Sequence, residues 1–159
     1  SLPMNKPLAG VRVLDLTHML SGPYAGMILA DLGAETIKVE PLQGEGTRTL
    51  LASDPDNSLG GMGAYFLTLN RNKKSTAIDL KTARGVELFQ GLVKKADIVL
   101  SNFAAGVPQR LGLDLHAKQA CSPRQQCAGS YCFHSQCAAG LASVYCTRLM
   151  SPVSNAASQ

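Results

Sequence analysis

Three stretches of this chain carry residue types that could do chemistry. In THMLSGPYAG (17–26), His18 can give or take a proton near neutral pH, and Gly22 and Gly26 could open a turn against a phosphate. The dinucleotide fingerprint wants two glycines one residue apart and then a third. Gly22 and Gly26, with Pro23 between them, do not have that spacing, so NAD-type binding is not expected. Glu40 stands where a ribose-binding acid would, but an acid after a strand is commonplace. No Ser-His-Asp or Cys-His grouping and no paired carboxylates assemble around His18. The second stretch is Arg71, Lys73 and Lys74, which reads equally as a phosphate-recognising turn, Arg by its fork and Lys as a point charge, or as a solvated loop. The third is the set Cys121, Cys127, Cys132, Cys137 and Cys146, with His116 and His134 nearby. Their spacings are wider than the close pairs of structural zinc sites, and an odd count leaves one cysteine outside any disulfide framework. No metal is expected.

The elements that must position these residues follow from periodicity. Val11, Val13, Leu14 and Leu16 read as a strand buried on both faces. Gly22-Pro23 breaks that run and suits the first turn of a helix; Tyr24, Met27, Ile28 and Leu32 recur at helical spacing, and Gly33 stops the helix. Residues 36–39 resume as a strand. Strand, helix and strand at this spacing make a right-handed βαβ unit with parallel strands, whose ligands sit at the carboxyl ends of the strands. Residues 17–22 and 40–46 therefore fall at the expected site. Residues 41–63 read as a long loop, functional or disordered, 64–69 as a short apolar piece, 70–75 as a polar basic turn and 76–80 as a third strand. Thr82 is a credible N-cap for a helix whose apolar face is Val86, Phe89, Val93 and Ala96, reinforced by Leu88 and Leu92. Gly85 weakens its first turn, and Lys94 and Lys95 suit its negative end. A fourth strand over 97–101 and a short helix over 107–111 complete the alternation. The expected fold class is α/β, a Rossmann-like, mostly parallel sheet with flanking helices, incomplete and followed by an irregular tail.

Charge and composition narrow the function classes. The formal net charge is +4, but all eleven acids and twelve of the fifteen Lys and Arg lie at or before Asp114. A near-neutral body lacks the clustered basic face of a nucleic-acid binder. No apolar run approaches the roughly 20 residues that span a bilayer, and the first residues lack the apolar segment of a secretory signal. The expectation is a cytoplasmic protein with no nucleic-acid or membrane partner. Residues 115–159, rich in Cys, Ser and Ala with neither period, are expected to be disordered or loosely packed, leaving room for a helix within 137–150.

The blocks PLAGVRVLDLTHMLSGPYAGMILADLGAETIKVE, GEGTR, LNRNKKSTAIDLK and KKADIVLSNFAAGVPQRLGLD occur in unbroken order. Together, over residues 6–114, they resemble the N-terminal part of the family III CoA-transferases, the group of formyl-CoA transferase and carnitine CoA-transferase, to which α-methylacyl-CoA racemase is related. The resemblance implies transfer of coenzyme A from an acyl-CoA to a small carboxylic acid. In that group a catalytic Asp is held to form a mixed anhydride with the acyl group, and released CoA thiolate then attacks it to give an aspartyl thioester, which is nucleophilic catalysis by a carboxylate. By position, Leu20 and Ser21 would border the thiol end of CoA, and Ile78, Asp79, Leu80 and Lys81 would line the nucleotide end. Asn102, Phe103 and Ala104 would follow the fourth strand, and Arg110 would contact the CoA phosphates. Pro41 stands where some members use Arg, and Leu20 replaces a Gln of formyl-CoA transferase. Full-length subunits of the group are several times longer than the matched part and interlock as homodimers.

The catalytic Asp of the resemblance belongs beyond residue 114, and no Asp or Glu follows Asp114. The expectation is a chain without the nucleophile, hence no catalytic residue to name, and the change of composition reads as a truncated or frame-shifted product or a divergent natural ending. The alternatives are an acyl-CoA racemase relative, a non-catalytic CoA-binding module and an inactive fragment.

Overall fold

A computed structural model describes residues 6–104, 107–113 and 143–146. The elements are β1 (Arg12–Asp15), α1 (Ser21–Asp31), β2 (Glu35–Glu40), a 3₁₀ turn (Gly46–Arg48), β3 (Ser58–Leu59), β4 (Met62–Gly63), α2 (Ala64–Leu69), β5 (Lys74–Ala77), α3 (Ala83–Val93), β6 (Ile98–Ser101), α4 (Val107–Arg110) and β7 (Ser143–Cys146). The main sheet has the order β5-β2-β1-β6-β7. Its first four strands are parallel, and β7 joins β6 antiparallel. The expected α/β sheet is therefore present. Residues 115–159 lie outside the described residues except for β7, which is a strand where the sequence left room for a helix.

The central strand is as buried as its apolar run implies. Val13 and Leu14 point to opposite faces and are 0% exposed, so each contributes roughly 1.5–3 kcal/mol by burial. On one face Leu14 joins Leu16, Val39, Ile78, Phe89 and Val99 beneath α3. On the other, Val13 and Leu100 meet Ala25 and Leu29 of α1. Thr82 caps α3 as expected, its hydroxyl accepting from the Gly85 N–H at 3.0 Å. Leu88, expected on the apolar face, is instead exposed, because the face that meets the sheet centres on Phe89.

Helix α1 departs further from its pattern. Of Tyr24, Met27, Ile28 and Leu32, only Met27 is buried. The helix meets the sheet through Gly22, Pro23, Gly26, Met27 and Ala30. A methyl group on Gly22 would run into the Thr17 side chain, and one on Gly26 into Asp15 and the Lys73 ammonium. The two glycines thus serve close helix–strand packing, and the larger apolar residues project outward because the near side has no room for them.

What lies under that helix is an ion pair. Asp15 is 0% and the Lys73 side chain 2% exposed, with Lys73 Nζ 2.8 Å from Asp15 Oδ2. Lys73 also donates to the Pro23 carbonyl and to Asn70 Oδ1, while Asp15 accepts from the Thr17 N–H and hydroxyl. Burial pulls the Lys73 pKa below its ordinary value, and the Asp15 charge opposes that only in part. The basic turn read from the sequence is solvated at Arg71 and Lys74, whose side chains are 54% and 70% exposed, but not at Lys73. Arg71 pairs with Asp31 and Lys74 with Glu35, and Lys73 ties α1 to β1.

The third strand begins earlier than expected, at Lys74 rather than Thr76, and ends at Ala77. Its register against β2 sets Lys74 opposite Ile37 and Ala77 opposite Glu40. The Lys74–Glu35 pair and the Ser75 hydroxyl bonded to Glu40 favour this frame. It leaves residues 78–81 beyond the strand, at the carboxyl edge of the sheet.

Lys73→Met leaves the Asp15 carboxylate buried without its cation, and the expected cost is ~3–5 kcal/mol, read as a lowered urea midpoint at unchanged m-value. Adding Asp15→Asn should recover much of that loss. A cost for the single variant within about 0.5 kcal/mol, the range of ordinary surface substitutions, would show that the pair does not hold the helix.

Candidate functional site

The parallel strands run β5-β2-β1 to one side of β1 and β6 to the other, so the chain reverses its order of travel between β1 and β6. At such a point the loops leaving the two strands part, and a crevice opens beyond their carboxyl ends. Here it is a cleft of about 440 Å³, walled on one side by Thr17, His18 and Met19, on another by Glu40, Pro41, Glu45 and Gly46, and floored by Leu16, Val39 and Ile78. Asp79, Leu80, Lys81, Phe103 and Leu111 close it. A second, shallower groove of about 560 Å³ continues past Leu80, Lys81 and Leu111 to Arg110 and to Thr82, Glu87 and Gln90 of the α3 side.

The residues singled out in the sequence divide accordingly. Ile78, Asp79, Leu80, Lys81 and Phe103 line the cleft, and Arg110 lines the groove next to it. Ala104 is exposed beyond Phe103 and lines neither. Leu20 is the residue before α1 and Ser21 its first residue; they follow Met19 of the cleft wall, and neither lines the cleft, Leu20 being 55% exposed. Asn102 does not line the cleft but braces it. Its amide donates to the His18 carbonyl at 2.7 Å, and its Oδ1 accepts from the His18 N–H at 3.0 Å. That reciprocal pair bridges the ends of β1 and β6. The His18 ring is then free to face the cleft, its centroid 6.0 Å from that of Phe103.

Sequence reasoning missed the polar layer beneath this surface. Lys38 is 1% exposed, and its ammonium donates to the Thr17 carbonyl at 2.7 Å with Glu45 Oε2 3.8 Å away. Glu45 accepts from the Met19 N–H and from Thr47. Glu40 accepts two bonds from the Arg48 guanidinium, at 2.7 Å each, and others from Ser75 and the Glu45 N–H. Arg48 in turn lies over the Phe66 ring, 4.0 Å from its centroid, a cation–π contact. The signal available was KVE at the end of a strand followed by GEGTR, two carboxylates and two cations in one short span. Their burial could not be read from it.

Burial favours a neutral Glu40, but the Arg48 fork, Ser75 and the Glu45 N–H outweigh it and bring the pKa from 4.5 down to about 2. Among the described residues no three His, Cys, Asp or Glu converge to hold a metal ion. Cys121, Cys127, Cys132 and Cys137 lie outside those residues. No helix among them is long and apolar enough to cross a membrane.

With this geometry in place, comparison with known proteins is specific. The family model for CoA-transferase family III matches residues 8–133, past residue 114, where the resemblance read from the sequence stops. Human succinyl-CoA:glutarate CoA-transferase is 45% identical over 109 residues, 68% of this chain and 24% of its own. Formyl-CoA:oxalate CoA-transferase of Streptomyces avermitilis is 41% identical over 122 residues, 76% of this chain and 29% of its own. Among solved structures, a CAIB/BAIF family protein from Brucella suis aligns with a TM-score of 0.63 at 42% identity, over 69% of this chain and 29% of that one. The chain spans less than a third of the length of these relatives.

The Glu40 shift fixes a pH dependence. Its folded pKa of about 2 lies below the ordinary 4.5, so its stabilisation is complete above pH ~4.5 and is lost as pH falls toward 2. Urea unfolding across that window should show a fall on the order of 2 kcal/mol, and Glu40→Gln should flatten it while lowering stability at pH 7. An unchanged slope in the variant would reassign the acid sensitivity to other carboxylates.

Proposed function

The chain belongs to CoA-transferase family III, and from that premise we propose that its cleft and the adjoining groove receive coenzyme A, as the acyl-CoA donor for transfer to a small carboxylic acid. One observation carries the reading. The segment 78–81 and Phe103, which sit far apart in the chain, line one cleft at the carboxyl ends of the strands, and Arg110 lines the groove that adjoins it at Leu80, Lys81 and Leu111. Its chemistry suits the ligand. Ile78, Leu80 and Phe103 offer apolar surface to a ring and a pantetheine-like chain, and the Lys81 and Arg110 cations, both exposed, suit phosphates. Leu20 and Ser21, which follow Met19 of the cleft wall in the chain, are proposed to border the thiol end. Relatives named for glutarate and for oxalate indicate small dicarboxylates as acceptors, and the full-length form is proposed to work as a homodimer.

These 159 residues by themselves are proposed to bind CoA without transferring it. Three carboxylates line the cleft: Glu40, Glu45 and Asp79. The first two are committed to buried bonds with Arg48, Ser75, Met19 and Thr47, and Asp79 accepts from the Lys81 N–H at 3.0 Å. No carboxylate follows Asp114 to act as nucleophile.

Calorimetric titration of the full chain with CoA should show saturable one-to-one binding that weakens as salt rises. Lys81→Ala and Arg110→Ala should each weaken it roughly tenfold, about 1.4 kcal/mol. Succinyl-CoA with glutarate should give no CoA exchange above buffer. A cooperatively folded chain that ignores CoA would overturn the binding assignment. Steady exchange, or an acyl group trapped on Asp79, would overturn the claim that no nucleophile is present.

A further inference from the structure

The turn that joins β1 to α1 and forms one wall of the cleft is unusual in its backbone. Met19 has φ +68°, in the left-handed region, where an L side chain costs on the order of 1 kcal/mol. Such a residue persists only when its surroundings over-determine it. Three consecutive residues of the turn are in fact held by side chains. Thr17 is bonded through its N–H to Asp15 and through its carbonyl to Lys38, His18 through both its backbone groups to Asn102, and Met19 through its N–H to Glu45 Oε1 at 3.2 Å.

Glu45 is the member that reaches across the cleft. It stands on the opposite wall, beside Glu40, Pro41 and Gly46, and is 7% exposed. It caps its own 3₁₀ turn by accepting from the Thr47 N–H, while the Lys38 ammonium lies between its Oε2 and the Thr17 carbonyl. One carboxylate therefore joins the two walls directly, through Met19, and indirectly, through Lys38. We propose that Glu45 is a positioning residue. It holds Met19 in its left-handed conformation and thereby sets the separation of the two cleft walls before any ligand arrives.

The clamp itself does not depend on what the cleft binds; only its effect on affinity rests on the CoA reading above. The first test uses the unmodified chain without ligand. Amide hydrogen exchange at Met19 should be at least a hundredfold slower than in an open loop, although the residue is 57% exposed. Free exchange there would overturn the clamp. In Glu45→Ala that protection should vanish and CoA affinity fall about tenfold, whereas Glu45→Gln, which keeps an acceptor oxygen, should retain most of both. The discriminating variant is Glu45→Ala combined with Met19→Gly, compared with Met19→Gly alone, since glycine enters the left-handed region without the strain a side chain brings. The CoA affinities of the two should agree to within about threefold, while the melting temperature of the double variant stays as low as in Glu45→Ala. If the double variant instead binds about tenfold more weakly than Met19→Gly, following its melting temperature, Glu45 acts through general stability and the proposal fails. An unmodified chain with a protected Met19 amide but no CoA binding would remove the CoA reading and leave the clamp standing.

Discussion

A charge pair sealed from water sits at the centre of this fold. Asp15 ends the central strand and faces α1, and neither it nor Lys73 can be left alone there, because an unpaired buried charge costs several kcal/mol. Such a pair is weak evidence for net stability, since desolvation offsets most of the attraction. What it imposes is geometry. Lys73 must come to Asp15, which brings the residues before β5 under the helix and sets where that strand begins. Gly26 must lack a side chain, because the ion pair occupies the space one would fill.

The same rule extends along the carboxyl edge of the sheet. Lys38, Glu40 and Glu45 are buried side by side, and apart from Ser75 of β5 their partners lie beyond the strands, in the loops. The loops are consequently organised by polar groups beneath them, and the cleft above is left with a largely apolar floor. Hydrogen bonds to charged groups are stronger than neutral ones, which suits them to fix irregular backbone that has no ladder to follow. The reciprocal Asn102–His18 bonds do for the β1–β6 gap what Glu45 does for the gap between the two loops.

The site was legible in the sequence only where it coincides with chain order. Residues 78–81 follow a strand, and Arg110 lies on a short helix that the pattern 107–111 gave correctly. That residues 78–81 reach the cleft depends on where β5 ends, and the sequence pattern starts β5 two residues late and ends it three residues late because Ile78 and Leu80 look like strand residues. Periodicity rewards apolar alternation wherever it occurs, and here the apolar residues line a cleft. The opposite error affects Lys73, which reads as part of a basic turn although its side chain is almost wholly buried, and the burial of Lys38 leaves no sign in the strand pattern either. A long amphipathic side chain carries no local mark of whether its ammonium meets water or a carboxylate.

By itself the sequence determined the alternation of strands and helices, the parallel βαβ start and the cap at Thr82. These are consequences of short-range periodicity and of the handedness of L-residues, which need no knowledge of distant contacts. Tertiary structure decided which face of α1 is buried, the frame of β5, the partners of Lys38, Glu45 and Lys73, and the left-handed turn at Met19. Each of those depends on groups far apart in the chain satisfying one another where water is excluded. The apolar pattern of α1 predicted a face that the structure leaves exposed, because room for a helix beside a buried ion pair is set by the smallest residues it carries.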